Sequence, residues 1–272
     1  MAAPPGRTVG GAHVPDHHDE RRDEVVNKAM SVRQPVKAVT FDAYNTLFDF
    51  ASDALPTLRA IMPGAVHHRL GDVWETMNRV ITSLFSGFVG KQRGEFDTFV
   101  TLSEIHRACF VAVRDRFLPT LDVEAATEGW NRYIARVPLY DDALPAVEWA
   151  AKRFPTAIVS DIDTWMLAEN PALPRLPLAG YVTSEQDRSY KAMADCTMFQ
   201  RAAEILACEP EGILHVGDSP ADVLSARRAG ARVVWLNRDG YDSLDGAPEP
   251  DRVIHALAEL PAVVTTMTER RP

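Results

Sequence analysis

Residues 36–41 form a short apolar run with the β-branched residues Val36, Val39 and Thr40, bounded by Pro35 and Asp42. A run of that length is too short for a stable helix and reads as a buried strand. From residue 53 to about 136 the rhythm changes. Leu102, Ile105, Cys109, Val113 and Phe117 recur at three- and four-residue steps, with Phe96, Phe99 and Val100 leading into them. Val73, Met77, Val80, Ile81 and Leu84 recur in the same way within residues 66–88. Both patterns predict amphipathic helices. Gly87, Gly90 and Gly94 separate them, and a third helix is expected over 123–134.

After Pro138 strands and helices alternate. Helices are expected over residues 142–154, 163–169, 195–207, 220–229 and 252–259. Strands are expected over 156–160, 181–184, 213–216 and 232–236. Ser219 before Pro220 reads as an N-cap with proline at the first helical position, and Gly230 as the residue just past the helix end. The alternation implies an α/β protein: a parallel sheet with helices on both faces. The long helical stretch after the first strand looks like an all-helical inserted domain.

The first 34 residues read as a tail. They are mostly polar and carry five basic and five acidic residues, so the net charge of −9 belongs to the rest of the chain. His13, His17 and His18 lie there without carboxylate or thiol partners that would fix a metal geometry. Residues 20–30 are expected to form at most a short helix. The acidic balance argues against nucleic acid as a partner. No apolar run of about 18 residues exists to span a membrane. The charged N-terminus has no secretory pattern, and Cys109, Cys196 and Cys208 show no CxxC spacing. A cytoplasmic protein with reduced thiols is expected.

Candidate chemistry sits where the strands end. The first strand delivers Asp42, Tyr44 and Thr46, and the second delivers Ser160 and Asp161. Lys191 follows the third, and Gly217-Asp218-Ser219-Pro220-Ala221-Asp222 follows the fourth. Ligands of open parallel sheets bind beyond these carboxyl ends. A carboxylate such as Asp42 can act as a covalent nucleophile. Asp218 and Asp222 offer hard oxygens suited to Mg²⁺. Thr46 and Ser160 can hydrogen-bond a phosphoryl or carboxylate oxygen, and Lys191 can neutralise developing charge. Asp161 either meets substrate or caps the next helix. His215 lies within a strand and is expected in the core; His67 and His68 are expected at the surface.

Taken in order, Val39-Thr-Phe-Asp42-Ala-Tyr-Asn-Thr46, Ser160, Lys191 and Gly217-Asp218-Ser219-x-x-Asp222 resemble the four motifs of the haloacid dehalogenase superfamily. The resemblance covers about residues 36–260. It implies a Rossmann-like core (residues 35–52 and 137–272) with a helical cap inserted over 53–136. It also implies Asp42 as nucleophile, Ser160 as phosphoryl ligand, and Lys191 bridging Asp42 and substrate. Mg²⁺ would sit between Asp42, the Tyr44 carbonyl and Asp218, with Asp222 nearby.

Two positions depart from the family pattern. Tyr44 stands where the phosphatases carry a general-acid Asp, as in the dehalogenase branch. Lys191 is followed by Ala192 rather than Pro, and Phe199 lies eight residues on instead of six. The fourth motif keeps its metal-type acids. The expected activity is therefore Mg²⁺-dependent hydrolysis of a small phosphorylated metabolite through an aspartyl phosphate. Tyr44 or Asp163 would substitute for the missing acid. The alternatives are a hydrolytic 2-haloacid dehalogenase, with Arg59 or Arg69 as halide ligand, and a non-catalytic binding protein.

Overall fold

The computed structural model describes residues 35–92, 99–244 and 246–268. The expected tail, its three histidines, the short helix at 20–30, Gly94 and Phe96 lie outside these residues.

Strand β1 spans Ala38–Phe41. Four helices follow: α1 Phe50–Ile61, α2 Leu70–Phe88, α3 Leu102–Phe117 and α4 Val123–Ile134. Then come α5 Ala143–Ala151, β2 Thr156–Ser160, α6 Thr164–Ala168, β3 Gly180–Thr183 and α7 Ser184–Asp187. The chain continues with α8 Thr197–Ile205, β4 Ile213–Gly217, α9 Pro220–Arg228, β5 Arg232–Leu236, β6 Arg252–Ile254 and α10 Leu260–Thr268.

The six strands make one sheet in the order β3-β2-β1-β4-β5-β6, parallel throughout. The architecture is a Rossmann-like α/β fold. Both faces of the sheet are covered, which explains why the strands read as continuous apolar runs. Val39, Phe41, Ile158, Leu214 and Val216 face α5 and α10. Ala38, Ala157, Val159, Ile213 and Val233 pack on the other side against Met198, Phe199 and Ala202 of α8 and Val223 and Ala226 of α9.

Helices α1 to α4 pack on one another. Their ends are set locally. The Asp49 side chain caps α1 through the N–H of Ser52, and Asp122 caps α4 through that of Ala125. Thr101 and Glu104 form a capping box on α3. Each such cap contributes about 1 kcal/mol. Phe50, Trp74, Trp130 and Tyr133 form an aromatic cluster between the helices, with ring centroids 5.4–6.4 Å apart.

The structure corrects two elements. The helix expected over 252–259 is instead the edge strand β6, a short 3₁₀ turn (Leu257–Glu259) and then α10. Ile254, Leu257 and Leu260 are all buried, and their three-residue spacing imitates a helix. The open edge of β5 wins the competition by offering ladder partners, including a bond from the Asn237 N–H to the Ile254 carbonyl (2.7 Å). The helix expected over 66–88 begins only at Leu70, after a 3₁₀ turn over Gly64–Arg69. His68 there is exposed, while His67 is half-buried and sits 2.8 Å from the Met62 carbonyl. Ser219, Pro220 and Gly230 punctuate α9 as expected, Gly230 with φ +82°. No helix among the described residues is long and apolar enough to cross a membrane.

Candidate active site

The strand order reverses between β1 and β4, and open parallel sheets bind ligands beyond the strand ends at such a point. Asp42 leaves β1 there, with its N–H donated to the Val216 carbonyl of β4 (2.8 Å). Asp218 follows β4, and Ser160 ends β2. Asp222 sits on the first turn of α9, tight against Gly217. A Cβ at Gly217 would lie 2.3 Å from the Asp222 Cγ, so only glycine lets the carboxylate approach the strand.

Lys191 joins these elements. Its Nζ donates to Asp42 Oδ1 (2.7 Å) and Asp222 Oδ1 (2.5 Å), and its side chain is buried. Its backbone N–H donates to Asp161 Oδ1 (2.9 Å). Asp161 therefore anchors the lysine loop rather than capping the next helix. The altered spacing after Lys191 is absorbed before α8 begins, and Phe199 packs edge-on against His215 (5.0 Å).

Asp222 accepts from four groups. Lys191 and His215 Nε2 (3.0 Å) bond Oδ1, while the Ser219 N–H (3.0 Å) and Oγ (2.6 Å) bond Oδ2. One carboxylate thus serves both as the capping-box acid of α9 and as the second partner of Lys191. His215 is in the core, as expected, and its Nδ1 lies 2.9 Å from Thr40 Oγ1. Its contact with Asp222 is invisible in the sequence, where it is one residue of an apolar strand.

The electrostatics follow from burial. Burial would disfavour the Lys191 ammonium, but Asp222, Asp42 and Asp161 outweigh it and hold the pKa above the usual lysine range. Burial pushes Asp42 up, with Lys191 opposing and Asp222 adding. Burial and the carboxylates of Asp42 and Asp222 push Asp218 well up. Burial would raise Asp222 too, but Lys191 and His215 hold it below the usual range. Asp161 is raised by burial to about 7.

Ligand oxygens of Asp42, Asp218 and Asp222 lie within 4.8 Å of one another. Asp42 and Asp222 share one lysine, and Asp218 has only the Thr46 hydroxyl among the described residues. A set of hard oxygens with excess negative charge in a buried place suits a divalent cation of the Mg²⁺ type.

A cavity of about 750 Å³ opens over these residues. Asp42, Tyr44, Ser160, Asp161, Lys191 and Asp218 line it. Thr46 does not: it is fully buried, and its Oγ1 donates to Asp218 Oδ1 (2.8 Å). Its place is to orient Asp218, not to touch substrate.

The two candidate acids are engaged elsewhere. The Tyr44 hydroxyl donates to the Ile134 carbonyl (3.1 Å), and burial, with Asp42 adding, holds the phenol above its usual range. The Asp163 carboxylate accepts from the N–H groups of Leu102 (2.7 Å) and Ser103 (2.9 Å), and from Ser103 Oγ. Asp163 therefore ties the start of α3 to the loop after β2, and it is not among the cavity-lining residues. Arg59 and Arg69 are both exposed and away from the cavity, and Arg69 pairs with Asp72 (3.0 Å). No arginine is among the described residues that line it.

Two further lining residues carry polar atoms that the sequence did not single out. Asn45, at φ +61°, places a buried Oδ1 with no hydrogen-bond partner beside the nucleophile. Its position three residues after Asp42 was the available signal. His106 of α3 is buried, with Nδ1 2.6 Å from Asn131 Oδ1. An amide oxygen only accepts, so Nδ1 carries the proton. Burial lowers this histidine to about 4. Nothing in the helical period separates it from its solvent-facing neighbours.

The chain is similar to several known proteins. The chain is 27% identical over 245 residues to a phosphoglycolate phosphatase of Neisseria gonorrhoeae, covering 83% of this chain and 92% of that protein. Its fold is similar to a putative HAD-hydrolase of Bacillus subtilis bound to magnesium (TM-score 0.68, 19% identity, 85% of this chain and all of the other). It is also similar to an L-2-haloacid dehalogenase of Xanthobacter autotrophicus with chloropropionic acid covalently bound (TM-score 0.65, 22% identity, 85% and 99% covered). Those two likenesses concern the fold. A family model for haloacid dehalogenase-like hydrolases matches residues 36–230, and the chain belongs to that family.

Proposed function

We propose that this hydrolase is a Mg²⁺-dependent phosphatase acting on a small phosphorylated metabolite, with Asp42 as nucleophile. The observation that carries the reading is the cluster of Asp42, Asp218 and Asp222 around a single lysine. Two features support it: the similarity to a phosphoglycolate phosphatase, and a described cavity wall without an arginine to take a halide.

Asp42 and Asp218, with the backbone carbonyl of Tyr44, would hold the cation. Asp222, already occupied by four donors, would stand behind Lys191. When bound, Mg²⁺ neutralises carboxylate and phosphoryl charge and orients the ester. The chain's own residues do the rest. Lys191 keeps Asp42 ionised and aims it, and it stabilises charge on the transferring group. Ser160 hydrogen-bonds a phosphoryl oxygen. An Asp42 oxygen attacks phosphorus, the bond to the ester oxygen breaks, and the leaving group departs with that electron pair. Water then attacks phosphorus, which frees phosphate and restores the Asp42 carboxylate.

The second reading is hydrolytic dehalogenation, favoured by Tyr44 in place of an acid. Metal dependence separates the two. Phosphate release from a panel of monoesters is expected with Mg²⁺ and is expected to vanish with EDTA. EDTA-insensitive chloride release from 2-chloropropionate, with no phosphate release, would establish the other reaction.

A further inference from the structure

The cavity has two unlike walls. The strand ends supply its charges. The wall from the helical segment, residues 50–134, carries Phe50, Ile81, Phe85, Val89, Leu102 and Ile134. Among the described residues that line the cavity, that wall holds no Lys, Arg, Asp or Glu; its polar members are Thr82, Ser86 and His106. Burial keeps His106 neutral, against the opposing pull of its bond to Asn131. Lys191, the one lysine among the described lining residues, is already shared between Asp42 and Asp222. Val89 stands 51% exposed at this wall, an apolar surface with no protein partner over it.

A leaving group that carries a carboxylate or second phosphate would meet no free cation among the described residues of this wall. Desolvating an unpaired charge there costs far more than a uniform apolar contact. The volume of about 750 Å³ falls in the range that takes drug-sized ligands, on the order of 300–1,000 Å³. It exceeds what a two- or three-carbon acid needs.

We infer that the substrate is a phosphate monoester of an uncharged, largely apolar alcohol, with its apolar body against Phe50, Ile81 and Phe85. The inference rests on the phosphatase reading. The ester oxygen leaves with the electron pair of the broken P–O bond and takes its proton from solvent. Water then hydrolyses the aspartyl phosphate to carboxylate and dihydrogen phosphate, so atoms and charge balance.

The test compares matched esters with Mg²⁺ present. Phenyl phosphate is expected to exceed 4-carboxyphenyl phosphate in kcat/KM by about 10²-fold. Ile81→Lys should shrink or invert this ratio by giving the carboxylate a partner. Equal kcat/KM for the two aryl esters, or phosphoglycolate turned over better than phenyl phosphate, would overturn the inference and leave the phosphatase reading intact. No phosphate from any ester, with chloride released from 2-chloropropionate, would overturn the phosphatase reading itself.

Discussion

The two walls of the cavity were built by different rules. The sheet wall concentrates three carboxylates around Lys191, each held by named donors. The helical wall is apolar and touches the sheet wall through a few polar ties: Asp163 to α3, Tyr44 to Ile134, and Tyr190 Oη to the Val100 carbonyl (2.7 Å). On the proposed reading, the first wall sets what bond is broken and the second what is attached to it. That division explains how a phosphatase and a haloacid dehalogenase can share this fold while differing in chemistry and substrate.

The contrast can be broken from the sheet side first. Asp42→Asn is expected to lower turnover by more than about 10³-fold while leaving Tm unchanged or higher, since it thins a crowded acidic cluster. Activity assays beside thermal melts check both halves. Lys191→Met leaves Asp42 and Asp222 buried without their cation. Removing one partner of such a pair costs about 3–5 kcal/mol, to be read by denaturant unfolding alongside lost turnover. A loss under 1 kcal/mol would mean that the lysine is not the hub of the sheet wall.

The helical wall has its own signature in pH. His106 titrates near 4 in the folded chain against an ordinary 6.5. The unfolded chain therefore takes up the proton first as pH falls. The stability from keeping this ring neutral is complete above 6.5 and is lost progressively down to 4, by ~3 kcal/mol in all. His106→Gln should remove that part of the pH dependence; parallel curves for the two proteins would contradict the buried neutral ring.

The smallest effects concern the ties. Asp163→Ala removes two backbone caps from α3 and should cost about 1–2 kcal/mol of stability. Turnover should stay within about threefold, because Asp163 is not an acid in the reaction; a loss of 10² or more confined to poor leaving groups would reassign it. Tyr44→Phe should change turnover still less. Tyr44→Asp, by restoring an acid, should raise turnover on benzyl phosphate.

The sheet wall was largely legible in the sequence because strand ends are fixed by short apolar runs, and Asp42, Ser160 and Asp218 lie within a residue of them. The family resemblance already implied that Lys191 reaches Asp42, but nothing in the chain said that its Nζ also bonds Asp222. Thr46 was misread as a substrate ligand because its polarity is evident but its partner, Asp218, is 172 residues away. The helical wall resisted reading for a different reason. The 3.6-residue period marks Phe85 and Phe88 alike as apolar, and both pack on Tyr190 (4.9 Å), yet only Phe85 of the two lines the cavity. At the other end of the chain, three-residue spacing could not tell β6 and its turn from a helix.

A single turnover in ¹⁸O-labelled water tests most directly where Asp42 attacks. With enzyme in excess over phenyl phosphate and Mg²⁺ present, water should attack phosphorus. The label should then appear in the released phosphate, with none in the Asp42 peptide by mass spectrometry. Label in the Asp42 carboxylate, after turnover of 2-chloropropionate with halide release, would mean that water attacks the carbonyl of a carbon ester. That result would contradict the phosphatase assignment.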